Sequence, residues 1–472
     1  MNLRGISYYL GLFCFPISFL SFLNILYSSY FDYFLNFDSY IITLVLSLLI
    51  GLLFYLFGKK VEKKINFYEQ ILLILLIYFI VSLLISIPYY LSSYQITFIN
   101  SLFESYSGIT GTGFSIFENV KYLDPTLLLW RSSSQWIGGL YFLIFLFLFF
   151  SSSQFNYKLT KLVFSDEKSL NPETNLKKIS LKIFFLYSLL TFSIFILFSI
   201  SGIRLFDGLN LTMTVISSGG FLPTNSLNQI IKNNTQEIVL ILCFLISMLN
   251  IFFIYNLFTI KNILREHYED FFIILLAIFF SILLLLSVEN LNVFRSLASV
   301  LSSISTSGIS IADVESNFSL YLLFLTIVGG SIISNTSGIK PIRIFILLKS
   351  SFIEIIKLVR PNNILNQYIL YSDKKIDNDN IKLSFLVFIS FFISLFILSG
   401  VLLLDNINFE IAFKTSVLTL TNTTTSNLYG LQNVDFSNLL TSSKIFLIIF
   451  MTIAKIELIS VFLIIKQMFF KN

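Results

Sequence analysis

Four clusters of Ser, Thr and Gly recur along this chain of 472 residues, and their composition suits the coordination of a monovalent cation. Each cluster follows a Phe by fourteen or fifteen residues, and the copies run over 98–113, 206–220, 294–308 and 409–424. A dehydrated cation needs oxygen ligands in place of water, and main-chain carbonyls supply them where the backbone turns inward. Because glycine has no Cβ and adopts positive φ, it permits such a turn. The clusters therefore predict a carbonyl-lined cation filter.

The glycines and the hydroxyl residues of these clusters have separate expected tasks. The glycines that permit the inward turn are Gly111, Gly113, Gly219, Gly220 and Gly308. The hydroxyls that can bond each loop to its scaffold belong to Thr110, Thr112, Ser217, Ser218, Thr306 and Ser307. The loop tips have no ring of acidic side chains, which argues against a divalent cation and favours main-chain ligands to a monovalent one.

The composition excludes a water-soluble globular protein. Hydrophobic residues make up 56% of the chain and charged residues 12%, and the mean hydropathy is +0.85. A helix needs about 20 mostly apolar residues to cross the hydrocarbon core of a bilayer. Ten apolar stretches approach or exceed this size: 6–30, 40–58, 69–92, 126–152, 179–202, 236–260, 269–288, 318–349, 382–404 and 443–470. We therefore predict an integral membrane protein with ten spans.

Each Ser/Thr/Gly cluster ends a short apolar run that lies between two long stretches. Such a run reaches only about 20 Å, so it must enter the bilayer and return. Irregular backbone at that depth is tolerated where it lines a cavity. The predicted fold is all-α: two extra N-terminal transmembrane helices, then four pseudo-repeated units of helix, pore helix and helix around one central pore. The expected divisions are 1–64 for the extra helices and 65–157, 158–262, 263–350 and 351–472 for the units, the last with a cytoplasmic segment.

Two features below the predicted filter favour a gate. The middle of the eighth stretch, which includes Gly329, Gly330, Asn335 and Gly338, is poor in helix formers. We predict a break with a gating loop there, and tight helix packing through small residues is the alternative. Lys455 lies near the middle of the last span, where its charge would act as a barrier to cations. The alternative for Lys455 is an ion pair with a carboxylate on another helix.

Lys and Arg concentrate on one predicted side of the membrane. With an even number of spans both termini share that side, and the positive-inside rule makes it cytoplasmic. The net charge of +5 follows from this bias, so no nucleic-acid partner is expected. Cys14 and Cys243 lie far apart within predicted spans and support neither a disulfide framework nor a metal site.

Several segments together resemble the Trk/Ktr/HKT superfamily of potassium transporters, and the pore subunit of its Trk branch most closely. They cover nearly the whole chain in the family's order: ESYSGITGTGFS at 104–115, LLWRSSSQWIGG at 128–139, SSGGF, STSGIS, GGSIISNTSGIKPIR at 329–343, RPN at 360–362 and AKIEL at 454–458. The resemblance implies potassium uptake across the plasma (inner) membrane. It also implies a homodimer with one pore per subunit and a cytosolic nucleotide-binding regulatory subunit.

The resemblance assigns site residues as well. The ion-binding carbonyls map onto Gly111 and Thr112, Ser218 and Gly219, Thr306 and Ser307, and Asn422 and Thr423. The family's gating loop maps onto Gly329 to Gly338, and Lys455 stands where the family has Arg. In the fourth filter Thr424 replaces the usual glycine, and we expect positive φ to be costly there, turning one carbonyl away or presenting a hydroxyl. Selectivity for potassium over sodium is then expected to be less strict.

Three functions compete at this level. A gated potassium pore is the leading hypothesis, and a sodium-permeable or ion-coupled carrier of the same family is the alternative. A polytopic membrane transferase is more remote, because the sequence offers no cluster of acid and base residues or metal ligands near the membrane surface. We therefore expect a transporter in contact with lipid and not an enzyme. No covalently bound cofactor is expected, and the only expected bound ion is potassium or sodium at the filter.

Overall fold

A computed structural model describes residues 2–59, 65–151, 172–253, 256–257, 267–288, 291–311, 318–360, 368, 376–431 and 434–456, with the backbone alone at 148–151 and 172–179. Fifteen α-helices are found within these ranges. In chain order they are α1 (Leu3–Tyr30), α2 (Phe37–Gly58), α3 (Phe67–Tyr90), α4 (Phe98–Thr110), α5 (Pro125–Ser151), α6 (Pro172–Ile200), α7 (Leu205–Ile216), α8 (Asn234–Met248), α9 (Tyr268–Ser287), α10 (Val293–Ile304), α11 (Ser319–Val328), α12 (Pro341–Val359), α13 (Asn378–Leu402), α14 (Phe409–Leu420) and α15 (Thr441–Ile456). The predicted all-α fold is confirmed.

Six helices in the described part of the chain are long and apolar enough to cross a membrane. They are Leu3–Tyr30, Phe37–Gly58, Phe67–Tyr90, Ser180–Ile200, Tyr268–Ser287 and Asn378–Asp405. Their outward faces are apolar, since Leu53 and Phe57 of α2 and Phe185 and Phe192 of α6 are each exposed over more than half of their surface. Such faces suit contact with lipid.

The first two helices pack on the start of the repeats. α1 and α2 lie against each other, both contact α3, and α1 also contacts α5. Leu10, Cys14 and Ile17 of α1 share one buried cluster with Ile77 of α3 and Trp130 of α5. A larger cluster contains side chains from the rest of the described helices. The helices α1 and α2 thus pack outside the larger cluster, as expected for two extra N-terminal helices ahead of four repeated units.

Four of the short helices lead directly into the Ser/Thr/Gly clusters, and none of these four is long enough to cross the bilayer. α4 has 13 residues, and α7, α10 and α14 have 12 each, so each reaches about 18–20 Å along its axis. Thr97 caps the N-terminus of α4, because its side chain accepts a hydrogen bond from Asn100 N. These are the four predicted pore helices, and the filter segments follow their C-termini directly.

Two of the predicted spans are interrupted. The eighth stretch breaks between the end of α11 at Val328 and the start of α12 at Pro341, as predicted. The sixth stretch was predicted as a straight span over 236–260, but α8 ends at Met248. Beyond it, Asn250 N donates to Asp270 Oδ1 at 2.8 Å and Ile251 N donates to a main-chain carbonyl of the broken span at 3.0 Å. Because the main-chain N–H groups of Asn250 and Ile251 donate to acceptors outside the helix, the helical hydrogen-bond pattern of α8 ends there.

The divisions expected at 64, 157 and 262 lie outside the described residues, as do 361–362 of the RPN segment and the last span after Ile456. The division expected at 350 falls within α12. That helix therefore joins the third unit to the segment that follows it.

Candidate cation path

The four filter loops meet at one place. A Cβ built on Gly113 would lie 2.8 Å from Gly220 Cα and 2.9 Å from Thr424 Cβ. One built on Gly308 would lie 2.7 Å from the Thr424 carbonyl oxygen and 3.1 Å from its Cγ2, and one on Gly220 would overlap Thr424 Cβ. The end of each loop thus contacts the end of another. The structure brings together the residues that the sequence predicts for the filter.

Each loop leaves its pore helix in the same way. The first residue beyond the helix, or the second, has a positive φ: Gly111 (75°), Ser218 (54°), Thr306 (55°) and Asn422 (47°). The next main-chain N–H then donates back to a carbonyl in the last turn of the helix, at 2.8 to 3.1 Å. The four bonds are Thr112 N to Ser107 O, Gly219 N to Thr214 O, Ser307 N to Ser302 O and Thr423 N to Leu418 O. This shared turn is the structural basis of the sequence repeat.

A hydroxyl closes three of the loops and is missing from the fourth. In the first three units a Ser or Thr in the last two turns of the pore helix donates to the carbonyl that follows the filter glycine, at 2.6 to 2.8 Å. The pairs are Ser107 with Phe114, Thr214 with Phe221 and Ser302 with Ile309. The equivalent residue of the fourth unit is Leu418, whose side chain has no donor.

The two glycines of the second loop, Gly219 and Gly220, do not adopt the positive φ that the sequence predicts. Gly113 and Gly308 have positive φ of 80° and 67°, but Gly219 and Gly220 do not. Expecting that turn at Gly219 and Gly220 was wrong. They are needed for close approach, because a Cβ on Gly219 would overlap Gln135 Oε1 and one on Gly220 would overlap Thr424.

Thr424 also departs from expectation. Its φ is not positive, so the predicted strain is absent. Its hydroxyl donates to the Gly113 carbonyl at 2.8 Å and so lies at the end of the first loop; that this hydroxyl serves as an ion ligand stays a prediction. Since its Cβ or Cγ2 lies against Gly113, Gly220 and Gly308, the Thr424 side chain contacts all three other loops.

The other predicted hydroxyls bond mainly within their own unit. Thr110 donates to Tyr106 O at 2.7 Å, Ser217 to Met213 O at 2.9 Å, and Ser307 to Ser302 O at 3.2 Å. The Thr112 hydroxyl lies 3.1 Å from the side-chain amide of Asn422. The buried Ser218 hydroxyl has no partner within the described residues.

A vestibule of about 590 Å³ opens beyond the filter. Its lining includes the ends of all four loops and two carboxylates, Glu118 and Asp435. Hydrogen bonds from the hydroxyl and main-chain N–H of Ser437 lower the pKa of Asp435 below its ordinary value, so this carboxylate is charged at neutral pH. Negative charge at a pore mouth concentrates cations there.

The broken span places a compact loop under the filter. Gly329 and Gly338 have φ of 69° and 91°, and a Cβ on Gly330 would lie 2.6 Å from Met248 O. Lys340 Nζ donates to Ser331 O at 3.0 Å and to Thr336 O at 2.5 Å, which ties the two arms of the loop together. The predicted break is thus an ordered turn built on glycine and one lysine.

This loop is bonded to three of the pore units. Asn335 Nδ2 donates to Ile216 O at 2.7 Å, the last residue of α7. Ser337 N donates to the Thr306 hydroxyl at 3.3 Å, and the Ser337 hydroxyl lies 3.1 Å from the side-chain amide of Asn422. The loop therefore lies directly against the C-terminal ends of pore helices and the filter segments of these units.

Lys455 reaches the same loop from α15. Its Nζ donates to Asn335 O at 2.9 Å and lies 4.4 Å from the ring centroid of Phe142. A Cβ on Gly111 would be 3.6 Å from this ammonium. The partner of Lys455 is a main-chain carbonyl, where the alternative required a carboxylate. The charge lies between the first filter loop and the gating loop.

A buried ion pair that was not predicted from the sequence lies beside the first loop. Glu104 Oε1 lies 2.9 Å from Arg131 Nε, and both residues are buried. Gln135, one turn further along α5, accepts a hydrogen bond from Phe221 N at 3.2 Å. The available signal was the run of polar residues RSSSQ at 131–135 within an apolar span, since polar groups at that depth need partners.

Comparison with known proteins identifies the family. The model of the TrkH family, described as a cation transport protein, matches residues 39–292, more than half of the chain. The chain belongs to this family. A relative from Methanocaldococcus jannaschii, named an uncharacterized cation transporter, is 28% identical over 360 residues, covering 74% of this chain and 73% of its own. The Trk system potassium uptake protein TrkG of Escherichia coli K12 is 26% identical over 436 residues, covering 88% of each chain.

A solved structure has the same fold. The crystal structure of the potassium transporter TrkH from Vibrio parahaemolyticus superimposes with a TM-score of 0.88 over 100% of both chains, at 19% identity. The predicted resemblance to the Trk branch is therefore confirmed. The chain is a membrane cation transporter and not an enzyme.

Proposed function

We propose that this chain takes up potassium through a gated, carbonyl-lined pore in the plasma (inner) membrane. The observation that carries the proposal is the meeting of Gly113, Gly220, Gly308 and Thr424 from four pore units. Main-chain carbonyls without an acidic ring suit a monovalent cation. Potassium is favoured because relatives such as the TrkG protein of E. coli and the TrkH protein of Halomonas elongata are named potassium uptake proteins.

The ion path follows from the order of the groups along it. Cations gather in the vestibule beside Glu118 and Asp435, and lose water where the loop carbonyls replace it. The C-terminal ends of the four pore helices point their partial negative charge toward this place. The loop around Asn335 and the ammonium of Lys455 then close the path. Opening requires this bond to break and the loop to move.

A sodium-permeable or ion-coupled carrier of the same fold is the second candidate. The observation that favours sodium permeation is the Thr424 hydroxyl on the Gly113 carbonyl. It removes one carbonyl lone pair from ion binding and adds a hydroxyl oxygen to the ring of ligands. Because the number and the field strength of coordinating carbonyls set the preference for potassium over sodium, replacing one carbonyl ligand with a hydroxyl is expected to weaken that preference.

The assembly and orientation belong to the same proposal. We expect a homodimer with one pore per subunit, both termini in the cytoplasm, and a cytosolic nucleotide-binding regulatory subunit against the cytoplasmic side. The basic residues of α12 and its neighbouring segments support this orientation through the positive-inside rule. Accessibility of single cysteines introduced near Asn2 and at Asn225, beside the vestibule, to a membrane-impermeant reagent tests the sidedness.

Cation flux into liposomes tests the function. The purified chain is reconstituted with and without the Lys455→Ala change, and uptake of potassium and of sodium is measured against empty vesicles. Potassium uptake above that of empty vesicles supports the proposal. Uptake of sodium alone, or uptake that requires a second ion gradient, would replace it with the second candidate.

A further inference from the structure

A buried ion pair between Glu104 and Arg131 lies behind the first filter loop, and the equivalent positions of the other three pore helices carry no acidic residue. Glu104 on α4 and Arg131 on α5 are 0% and 1% exposed, with Oε1 and Nε 2.9 Å apart. By register along the pore helices, the equivalents of Glu104 are Leu211, Ser299 and Thr415. Desolvation offsets much of the attraction between buried charges, so a buried pair is weak evidence for stability. Its position beside the ion path points to a role in geometry.

The ion pair is hydrogen-bonded to the segment that follows the first filter loop, at Ser115 and Ile116. Glu104 Oε2 accepts a hydrogen bond from Ile116 N at 2.9 Å. The Ser115 hydroxyl donates to Glu104 Oε1 at 3.2 Å and accepts from Arg131 Nη2 at 2.9 Å. Ser115 and Ile116 lie two and three residues after Gly113. The carboxylate therefore fixes the end of the loop, as the main-chain bond to the pore helix fixes its beginning.

Arg131 also reaches the second loop. Its guanidinium carbon lies 4.2 Å from the ring centroid of Phe221, the residue after Gly220. Gln135, on the same face of α5, accepts from Phe221 N at 3.2 Å. One face of α5 thus contacts the segments that follow the first and second filter loops. Its contacts to the second are the cation–π contact from Arg131 and the hydrogen bond to Gln135.

We propose that Glu104 and Arg131 are positioning residues that set the separation of the first and second filter loops and thereby the cation preference. This inference rests on the proposed pore. Neither side chain is a ligand of the ion, and both act through Ser115, Ile116 and Phe221. Because carbonyl rings discriminate between cations by where their oxygens lie, a change in this ion pair is expected to alter the selectivity of the protein that folds.

Four variants and one control test the proposal in liposomes. The variants are Glu104→Gln, Arg131→Gln, the double variant with both changes, and Arg131→Lys, which keeps the charge and loses the fork that reaches Ser115. The control is Arg295→Gln, which breaks the ion pair between Arg295 Nε and Glu237 Oε1. These atoms are 3.2 Å apart, and the Arg295 side chain is 47% exposed. Relative permeabilities of potassium, rubidium and sodium are measured, together with thermal stabilisation of detergent-solubilised protein by each ion.

We expect the permeability ratio of potassium to sodium to change about tenfold in Arg131→Lys and in the double variant, the scale of one lost charge-assisted hydrogen bond. The control is expected to keep the wild-type ratio. The double variant, without an unpaired buried charge, is expected to fold better than either single Gln variant.

An unchanged ratio in every variant that folds would overturn the proposal, and so would loss of folded protein in all four. Both outcomes would leave the pair a purely structural contact. Should the wild type carry another monovalent cation instead of potassium, the proposed function fails by itself. The ratio among the cations that are carried then still decides the role of the pair.

Discussion

The four filter loops end at Gly113, Gly220, Gly308 and Thr424, so Thr424 is the only one of these four residues that has a side chain. Replacing Thr424 with glycine removes that side chain. Thr424 is 7% exposed, its hydroxyl donates to Gly113 O at 2.8 Å, and its Cβ would overlap a Cβ built on Gly220. With this change the fourth loop ends in glycine, as the other three loops do. We expect Thr424→Gly to raise cation flux and to increase the preference for potassium.

The contacts set the size of the effect. A buried neutral hydrogen bond contributes about 1 kcal/mol, and one buried methyl group about 0.8 kcal/mol. Moving the Thr424 side chain away from its neighbours therefore costs about 2 kcal/mol, which corresponds to a factor of about 30 in the population of an unobstructed filter. If this step limits transport, Thr424→Gly raises flux by up to about 30-fold, and the lost hydrogen bond alone accounts for about fivefold.

Two further variants separate the hydroxyl from the volume. Thr424→Val keeps the branched shape and removes the donor, whereas Thr424→Ser keeps the donor and removes the methyl group. Flux and potassium-to-sodium ratio are measured in liposomes loaded with equal amounts of folded protein. We expect the serine variant to keep the wild-type ion preference and the valine variant to change it.

Wild-type flux and wild-type ion preference in Thr424→Gly would refute the reasoning. A valine variant indistinguishable from the wild type would refute the part assigned to the hydroxyl. A control for general loosening is Thr452→Val on α15, because that hydroxyl donates only within its own helix, to Ile449 O at 2.7 Å. It is expected to leave both quantities unchanged.

Four other outcomes follow from the same contacts. Gly220→Ala is expected to reduce flux, because its Cβ overlaps Thr424 Cβ, and the double variant with Thr424→Gly is expected to recover it in the same assay. Gly308→Ser places a side chain at φ 67°, where left-handed backbone costs about 1–2 kcal/mol, and a lower potassium-to-sodium ratio is expected; an unchanged ratio would count against the filter assignment. Lys455→Ala removes a positive charge and the bond to the gating loop, so flux should rise, and a lower flux through correctly folded protein would contradict the barrier role. Asp435→Asn removes a carboxylate that is ionised at neutral pH; it should lower flux at low ionic strength and have little effect in concentrated salt, where screening is strong.

Much of the architecture could be predicted from the sequence because its signals are local. The pore helices from Phe98 and Phe409 are apolar and short, and bilayer thickness excludes that they cross. The break around Gly329 combines glycine, serine and asparagine in a stretch too long for one span. In both cases the length and the residue type decide the structure without reference to distant segments.

The remainder depends on contacts between distant parts of the chain. Glycine is required at position 220 for lack of space and not for a positive φ. The space is taken by Thr424, some two hundred residues later in the chain. The end of α8 at Met248 is set by main-chain bonds to the broken span and to Asp270. The partner of Glu104 lies on the following helix. Periodicity and composition contain no information on these pairings.

The two departures of the fourth loop belong together physically. Of the four filter ends, those of the first and third loops have left-handed φ, at Gly113 and Gly308, while those of the second and fourth do not. A side chain at position 424 therefore adds no backbone strain, whereas the same change at 113 or 308 would. The fourth loop also lacks the closing hydroxyl, because Leu418 stands where the other units have Ser or Thr. The Thr424 hydroxyl supplies a bond to Gly113 O instead. The end of the fourth loop is therefore held by the neighbouring first loop, whereas the ends of the other three loops are held by hydroxyls of their own pore helices.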